Sequence, residues 1–213
     1  MEAWSWVIAS VGPAGYWLVT MAPSKPAKVY CLKVTLGETE PPIWRRVLVP
    51  ADITLARLHR VLQDAMGWTN SHLHCFEVGD RRFGAVGVEE DHEDLRDERR
   101  VRLATVLPRK GATLVYRYDY GDDWEHVVVL EDVVEPDPRL AYPLCVGGAR
   151  ACPPEDCGGP LGYEELLRVL DTPDDEEHDS MLTWLGGYFE PESFDANMVN
   201  RLFRNGRTGG GPS

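Results

Sequence analysis

A chain of 213 residues that is 43% hydrophobic is long enough to bury one substantial core. Its formal charge of −13 argues against broad capture of nucleic acid or of an anionic membrane, because phosphate binding needs Lys and Arg to displace counterions. The five cysteines are an odd set without C-x-x-C pairs, which points away from a disulfide framework or a zinc ribbon and toward reduced thiols in a cytoplasm.

The opening stretch, MEAWSWVIASVGPAGYWLVTM, is apolar but lacks the Lys or Arg that leads a secretory signal, and Gly12, Pro13 and Gly15 interrupt it as a spanning helix. With a second methionine at Met21, residues 1–27 read as an N-terminal extension, disordered or preceding the true start. The domain proper is expected over 28–205, and 206–213 as a disordered tail. Val29 to Leu36 and Ile43 to Val49 are rich in β-branched and aromatic residues around GETEPP, which predicts a β-hairpin. In DITLARLHRVLQDAMGW, Leu55, Leu58, Leu62, Ala65 and Met66 recur at helical spacing, with Asp52 or Thr54 to cap the start and Gly67 to end it. His59 and Arg60 fall off that stripe. HLHCFEVGDRRFG predicts a strand and turn with His72, His74 and Phe76 on one face, and EEDHEDLRDERR, with both signs of charge, predicts a solvated loop up to Arg100. A short helix is expected over Leu103 to Leu107.

Leu114, Tyr116, Tyr118 and Tyr120 alternate along the next strand, and Trp124, His126, Val128 and Leu130 along its partner. A three-residue loop, Gly121-Asp122-Asp123, would set Tyr120 opposite Trp124 and Tyr118 opposite His126, so that both apolar faces coincide. Tyr142 to Tyr163 holds too much Gly and Pro for a regular element and is expected as a long loop. Three helices follow, in YEELLRVL, EEHDSMLTWLGGYF and FDANMVNRLFRN.

The blocks PPIWRRVLVP, AMGW, HLHCFEVG, YRYDYGDDWEHVVVLE, ACPPEDCGGPLGY and FEPESFDANMVNRLF resemble, in that order, the plasmid pRiA4b ORF-3-like family. The resemblance covers roughly Val29 to Arg204. It implies an α+β fold, an antiparallel β-sheet with flanking helices and a C-terminal helical segment, among relatives mostly unassigned in function, some labelled passengers of mobile insertion elements or resolvase-like. A strand-exchange enzyme needs an activated Ser or Tyr beside several arginines, and this acidic chain shows no such cluster.

Two segments concentrate polar, stiff and glycine-flexible residues: the hairpin tip YDYGDDWEH and the loop CPPEDCGG. If the loop folds over the hairpin, Tyr118, Asp119, Asp122, Trp124, His126, Glu155 and Asp156 form a ligand-binding surface. Within it, Asp122, Asp123, His126, Glu155 and Asp156 offer ligands for a divalent metal. The plain alternative makes Asp122 and Asp123 turn residues, His126 a core histidine bonded to a tyrosine, and Glu155-Asp156 acceptors for main-chain amides. His72 and His74 can converge on a metal or stand as a half-exposed strand face. Cys145, Cys152 and Cys157 fit no common zinc spacing, and Cys157 with His126 would make a nucleophile pair only if folding brings them into reach. Arg45, Arg46, Arg57, His59 and Arg60 read as a solvated face, and Trp44 and Trp68 as core anchors. The expectation is a binding or accessory module for a small molecule or protein, with a metal-dependent hydrolase as the rival.

Overall fold

The structure, a computed structural model, describes residues 8–11, 17–19, 26–87 and 94–208. Ile8–Val11 (β1) and Trp17–Val19 (β2) pair as a separate antiparallel ladder. Residues 1–7, 12–16 and 20–25 of the expected N-terminal extension lie outside the described residues, as do 88–93 of the charged stretch and 209–213 of the expected tail.

The fold is α+β, with one eight-stranded, mostly antiparallel sheet and five helices among the described residues. Val29–Leu36 (β3) and Trp44–Pro50 (β4) make the expected hairpin, and buried residues alternate along both strands because only one face of the sheet is covered. Leu55–Met66 (α1) follows. Thr54 caps its start by accepting from the Arg57 amide, and Gly67, at φ 92°, ends it in the left-handed conformation that glycine adopts without strain. Leu55, Leu58, Leu62, Ala65 and Met66 all enter the core as their spacing requires. Truncating a fully buried leucine such as Leu62 to alanine costs about 3 kcal/mol.

His74–Val78 (β5) and Arg81–Gly84 (β6) form the next hairpin, and Leu95–Asp97 (β7) adds in parallel to β6. The turn Glu98–Arg100 and the helix Leu103–Val106 (α2) lead into Thr113–Tyr118 (β8) and Trp124–Val134 (β9). Leu144–Ala149 (β10) pairs with β4, giving the order β10-β4-β3-β9-β8-β5-β6-β7. The chain ends in Gly159–Leu170 (α3), His178–Trp184 (α4) and Ala196–Thr208 (α5), with α5 lying against β10 and α1.

Five expectations need correction. The central hairpin pairs Tyr118 with Trp124 and Tyr116 with His126, so its loop is five residues, Asp119 to Asp123, rather than three. Asp119 and Asp123 take left-handed backbone, and the Asp123 amide closes the loop onto Asp119 O at 2.6 Å. The shift is two residues, an even number, so the inward face is preserved. The Gly-rich run holds a regular element after all, the edge strand β10, whose bulge falls between Cys145 and Gly147. Residues 95–100 are ordered rather than a solvated loop, because the Glu98 carboxylate is buried against His74 Nε2 at 2.9 Å. Arg45 is buried, not solvated: its guanidinium donates to Ala65 O, Trp44 O and Ala149 O and stacks on Phe194, replacing the water it gives up. His59, expected off the buried stripe, is also inside, where polar partners await it.

Candidate metal centre

The loop of the central hairpin makes Asp119 the hinge of the site. Asp119 Oδ1 accepts the Gly121 amide at 2.9 Å and the Asp122 amide at 3.4 Å, which locks the carboxylate in place and turns Oδ2 inward. The side chain is nine-tenths buried, with 9% exposed. Facing it is His72, which sits just before β5. Its Nε2 lies 3.6 Å from Asp119 Oδ2, 3.7 Å from Glu155 Oε2 and 3.1 Å from Asp156 Oδ1. That nitrogen is a buried atom with no hydrogen-bond partner of acceptable geometry. Donor atoms of His72, Asp119 and Asp156 all lie within 4.8 Å of one another. Asp156 forms the open side, with 71% of its side chain exposed.

The loop after β10 is docked onto the hairpin tip by close backbone contact. Gly158 N donates to Asp122 Oδ2 at 3.1 Å, and a Cβ at Gly159 would fall 2.5 Å from Asp122 O, so only glycine permits this approach. Trp68 Nε1 holds the other arm of the loop by donating to Pro153 O at 3.0 Å. Asp119 and Asp156 adopt left-handed φ of 58° and 59°, and Asn70, two residues before His72, has φ 60°. Such conformations are costly for residues other than glycine and collect at functional sites.

A second layer of hydrogen bonds fixes these donors. Glu155 Oε1 accepts from Thr69 N at 2.8 Å, Thr69 Oγ1 at 3.1 Å and Tyr118 OH at 3.0 Å, while Oε2 shares the Tyr118 hydroxyl at 3.2 Å and faces His72 at 3.7 Å. Tyr118 OH in turn accepts the Ser71 amide at 3.0 Å. Burial first, and then the Glu155 carboxylate, push the Tyr118 phenol far above its ordinary range, so it remains a donor. Beneath the loop, Asn70 Oδ1 meets His59 Nε2 at 2.5 Å and the Asn70 amide donates to Gln63 Oε1 at 2.8 Å. The remaining His59 nitrogen, Nδ1, meets Tyr116 OH at 2.8 Å, and that hydroxyl also accepts from Gln63 Nε2 at 2.9 Å. Burial, with His74 stacked on its face, lowers His59 to about 3 and keeps it neutral. The polar edge of α1 is therefore a platform for residues 69–72.

The hairpin tip and the proline-rich loop thus meet, but not all the expected residues face the centre. Asp119, Glu155 and Asp156 do, and Tyr118 stands directly behind Glu155. Asp122 is occupied with the Gly158 amide, and Asp123 with Arg117 at 2.9 Å. Trp124 is core. His126 is fully buried, its Nδ1 at 3.1 Å from Tyr116 O and its ring edge-on to Trp68. His72 and His74 do not converge: one faces the acids and the other Glu98. Cys157 is no ready nucleophile, since burial and then the Asp122 charge push its thiol up to about 12. The donor that the acid-rich motifs did not reveal is His72. Its signals in the sequence are the pairing with His74 in HLH and the polar Thr69-Asn70-Ser71 run after the helix-ending Gly67.

One nitrogen and two carboxylate oxygens drawn together from three parts of the chain, with Glu155 beside them, suit a divalent cation with open coordination positions. Residues 28–198 match the family described as Plasmid pRiA4b ORF-3-like protein. An uncharacterised protein, y4hQ, from Sinorhizobium fredii is 45% identical over 161 residues, covering 75% of this chain and 82% of that one. A crystal structure of a protein of unknown function, MM3350 from Methanosarcina mazei Go1, superposes with a TM-score of 0.74 at 38% identity, covering 81% of this chain and 98% of that one. The chain belongs to the plasmid pRiA4b ORF-3-like family.

Proposed function

We propose that the protein is a cation-dependent binding module whose ligand surface is the junction of the 119–123 loop, residues 69–72 and the 152–159 loop. The observation that carries this reading is His72 Nε2, a buried atom without a hydrogen-bond partner, aimed at Asp119, Glu155 and Asp156. A small molecule or protein partner would complete the coordination on the exposed Asp156 side. Five free thiols and the acidic composition favour a cytoplasmic setting, and the plasmid-derived family description favours a passenger role in mobile elements. Among the described residues no helix is long and apolar enough to cross a membrane.

A hydrolase built on Asp122 and His126 draws less support. Asp122 is already bonded to Gly158, and burial, partly offset by the Tyr116 carbonyl, holds His126 down to about 4 and away from bulk water.

Elemental analysis of protein purified without chelator, with thermal unfolding before and after metal addition, tests the reading. A cation at about 100 times its dissociation constant stabilises the fold by about 2.7 kcal/mol, and His72→Ala removes the effect. Absence of both stoichiometric metal and any thermal shift refutes the proposal.

A further inference from the structure

We infer that the centre is selective for borderline transition cations, Zn2+ foremost, over Ca2+ and Mg2+, with His72 as the residue that sets this preference. The inference rests on the cation-binding reading above and adds the class of ion. Three independent features of the geometry support it.

The first is donor chemistry. Ca2+ and Mg2+ take oxygen ligands, whereas an imidazole nitrogen suits Zn2+ and its neighbours Cu2+ and Ni2+. His72 Nε2 stands nearest the meeting point of the three carboxylates and has no hydrogen bond to satisfy it otherwise.

The second is the number of oxygens on offer. Asp119 gives Oδ1 to two backbone amides, and Glu155 gives Oε1 to Thr69 and Tyr118. Asp119 therefore presents Oδ2 alone, and Glu155 Oε2, 3.2 Å from the Tyr118 hydroxyl, stands beside the cluster as a support. With Asp156 Oδ1 and His72 Nε2 the protein supplies three donors that all lie within 4.8 Å of one another. Ca2+ needs about six to eight oxygens and commonly a bidentate carboxylate, which the pinned acids cannot offer without losing their supports. Three protein donors and one open position match a four-coordinate Zn2+.

The third is spacing. In a tetrahedral site with bonds of about 2.1 Å, neighbouring ligand atoms lie about 3.4 Å apart. Asp119 Oδ2 and Asp156 Oδ1 stand 3.6 and 3.1 Å from His72 Nε2, and donor atoms of the three residues lie within 4.8 Å of one another, so modest inward shifts seat a small four-coordinate ion. The nine-tenths-buried Asp119 and its left-handed backbone make this spacing hard to relax.

The test uses chelator-treated full-length protein titrated calorimetrically with Zn2+, Ca2+ and Mg2+ in turn, with the imidazole resonances followed by NMR. The expected result is binding of Zn2+ at least about 100-fold tighter than Ca2+, with the His72 ring resonances shifted on saturation. His72→Asp, which makes the centre all-oxygen, is expected to collapse that ratio to less than about tenfold. Should this variant fail to fold, the wild-type ring resonances still decide whether His72 is a ligand. Equal affinity for Zn2+ and Ca2+, or tight Zn2+ binding that leaves the His72 ring unmoved, overturns the inference and leaves the cation site standing. Failure of every ion to bind overturns both.

Discussion

Lowering the pH from 7 to 5 is expected to weaken the fold through two histidines that are held neutral inside it. His126 lies at the centre of the sheet with Nδ1 on a backbone carbonyl and Nε2 buried without a partner, so a second proton would sit on a nitrogen that nothing receives. Burial lowers it to about 4, and burial with the stacked His74 lowers His59 to about 3, against an ordinary value of 6.5. Both folded values lie below the unfolded one, so their contribution is whole above about pH 6.5 and drains as pH falls toward the folded values. At pH 5 an unfolded imidazole is almost wholly protonated while the folded one is not, which favours unfolding by about 2 kcal/mol per residue. For a domain with a total stability of about 5–15 kcal/mol, the pair removes a large share. Urea unfolding at pH 7 and pH 5 measures this, with His126→Leu as the comparison. The variant has its own baseline stability, but its loss between the two pH values should be about 2 kcal/mol smaller than that of the wild type. Carboxylates that titrate in the same range are common to both proteins and cancel. Equal losses would refute the assignment of His126 as a neutral core imidazole.

Three further outcomes follow from the geometry. Tyr118→Phe removes the hydroxyl that joins Glu155 to the Ser71 amide, and cation affinity by calorimetry should fall about 10- to 100-fold while far-ultraviolet circular dichroism stays unchanged. Gly159→Ala drives a Cβ into Asp122 O at a backbone φ of 69°, which should cost about 1–3 kcal/mol in denaturant unfolding and abolish the metal-induced thermal shift. Arg45→Met keeps the length of the side chain but leaves Ala65 O and Ala149 O without their donor, and unfolding should be easier by about 3 kcal/mol.

Where hydrophobic periodicity decides an element, the sequence is easily read. The hairpin of β3 and β4, the α1 stripe from Leu55 to Met66 and the helix α3 follow from spacing, since one face of each is buried. Periodicity says nothing about polar groups that gain entry by pairing, which is why Arg45, His59 and Glu98 were placed in solvent although each has partners inside. The strand β10 was hidden for a related reason: with Gly147 and Gly148 it has little side-chain pattern, and its order comes from β4 on one side and α5 on the other. At the site, the acids of the hairpin tip and of the proline-rich loop were visible as unusual clusters. The choice among them was not, because loop closure turned Asp119 inward and Asp122 toward Gly158. His72 was overlooked as a partner for them because strand alternation groups it with His74, whereas the chain bends before β5 begins.

The grip that Thr69 and Tyr118 exert on the Glu155 carboxylate has a consequence for how such proteins can be recombined. The 152–159 loop fits only a partner that presents a free amide and hydroxyl at the end of α1, so a chimaera that imports this loop alone brings a carboxylate whose clasp is missing. Engineers who wish to transplant the centre must move both loops and the hairpin tip as a single cassette.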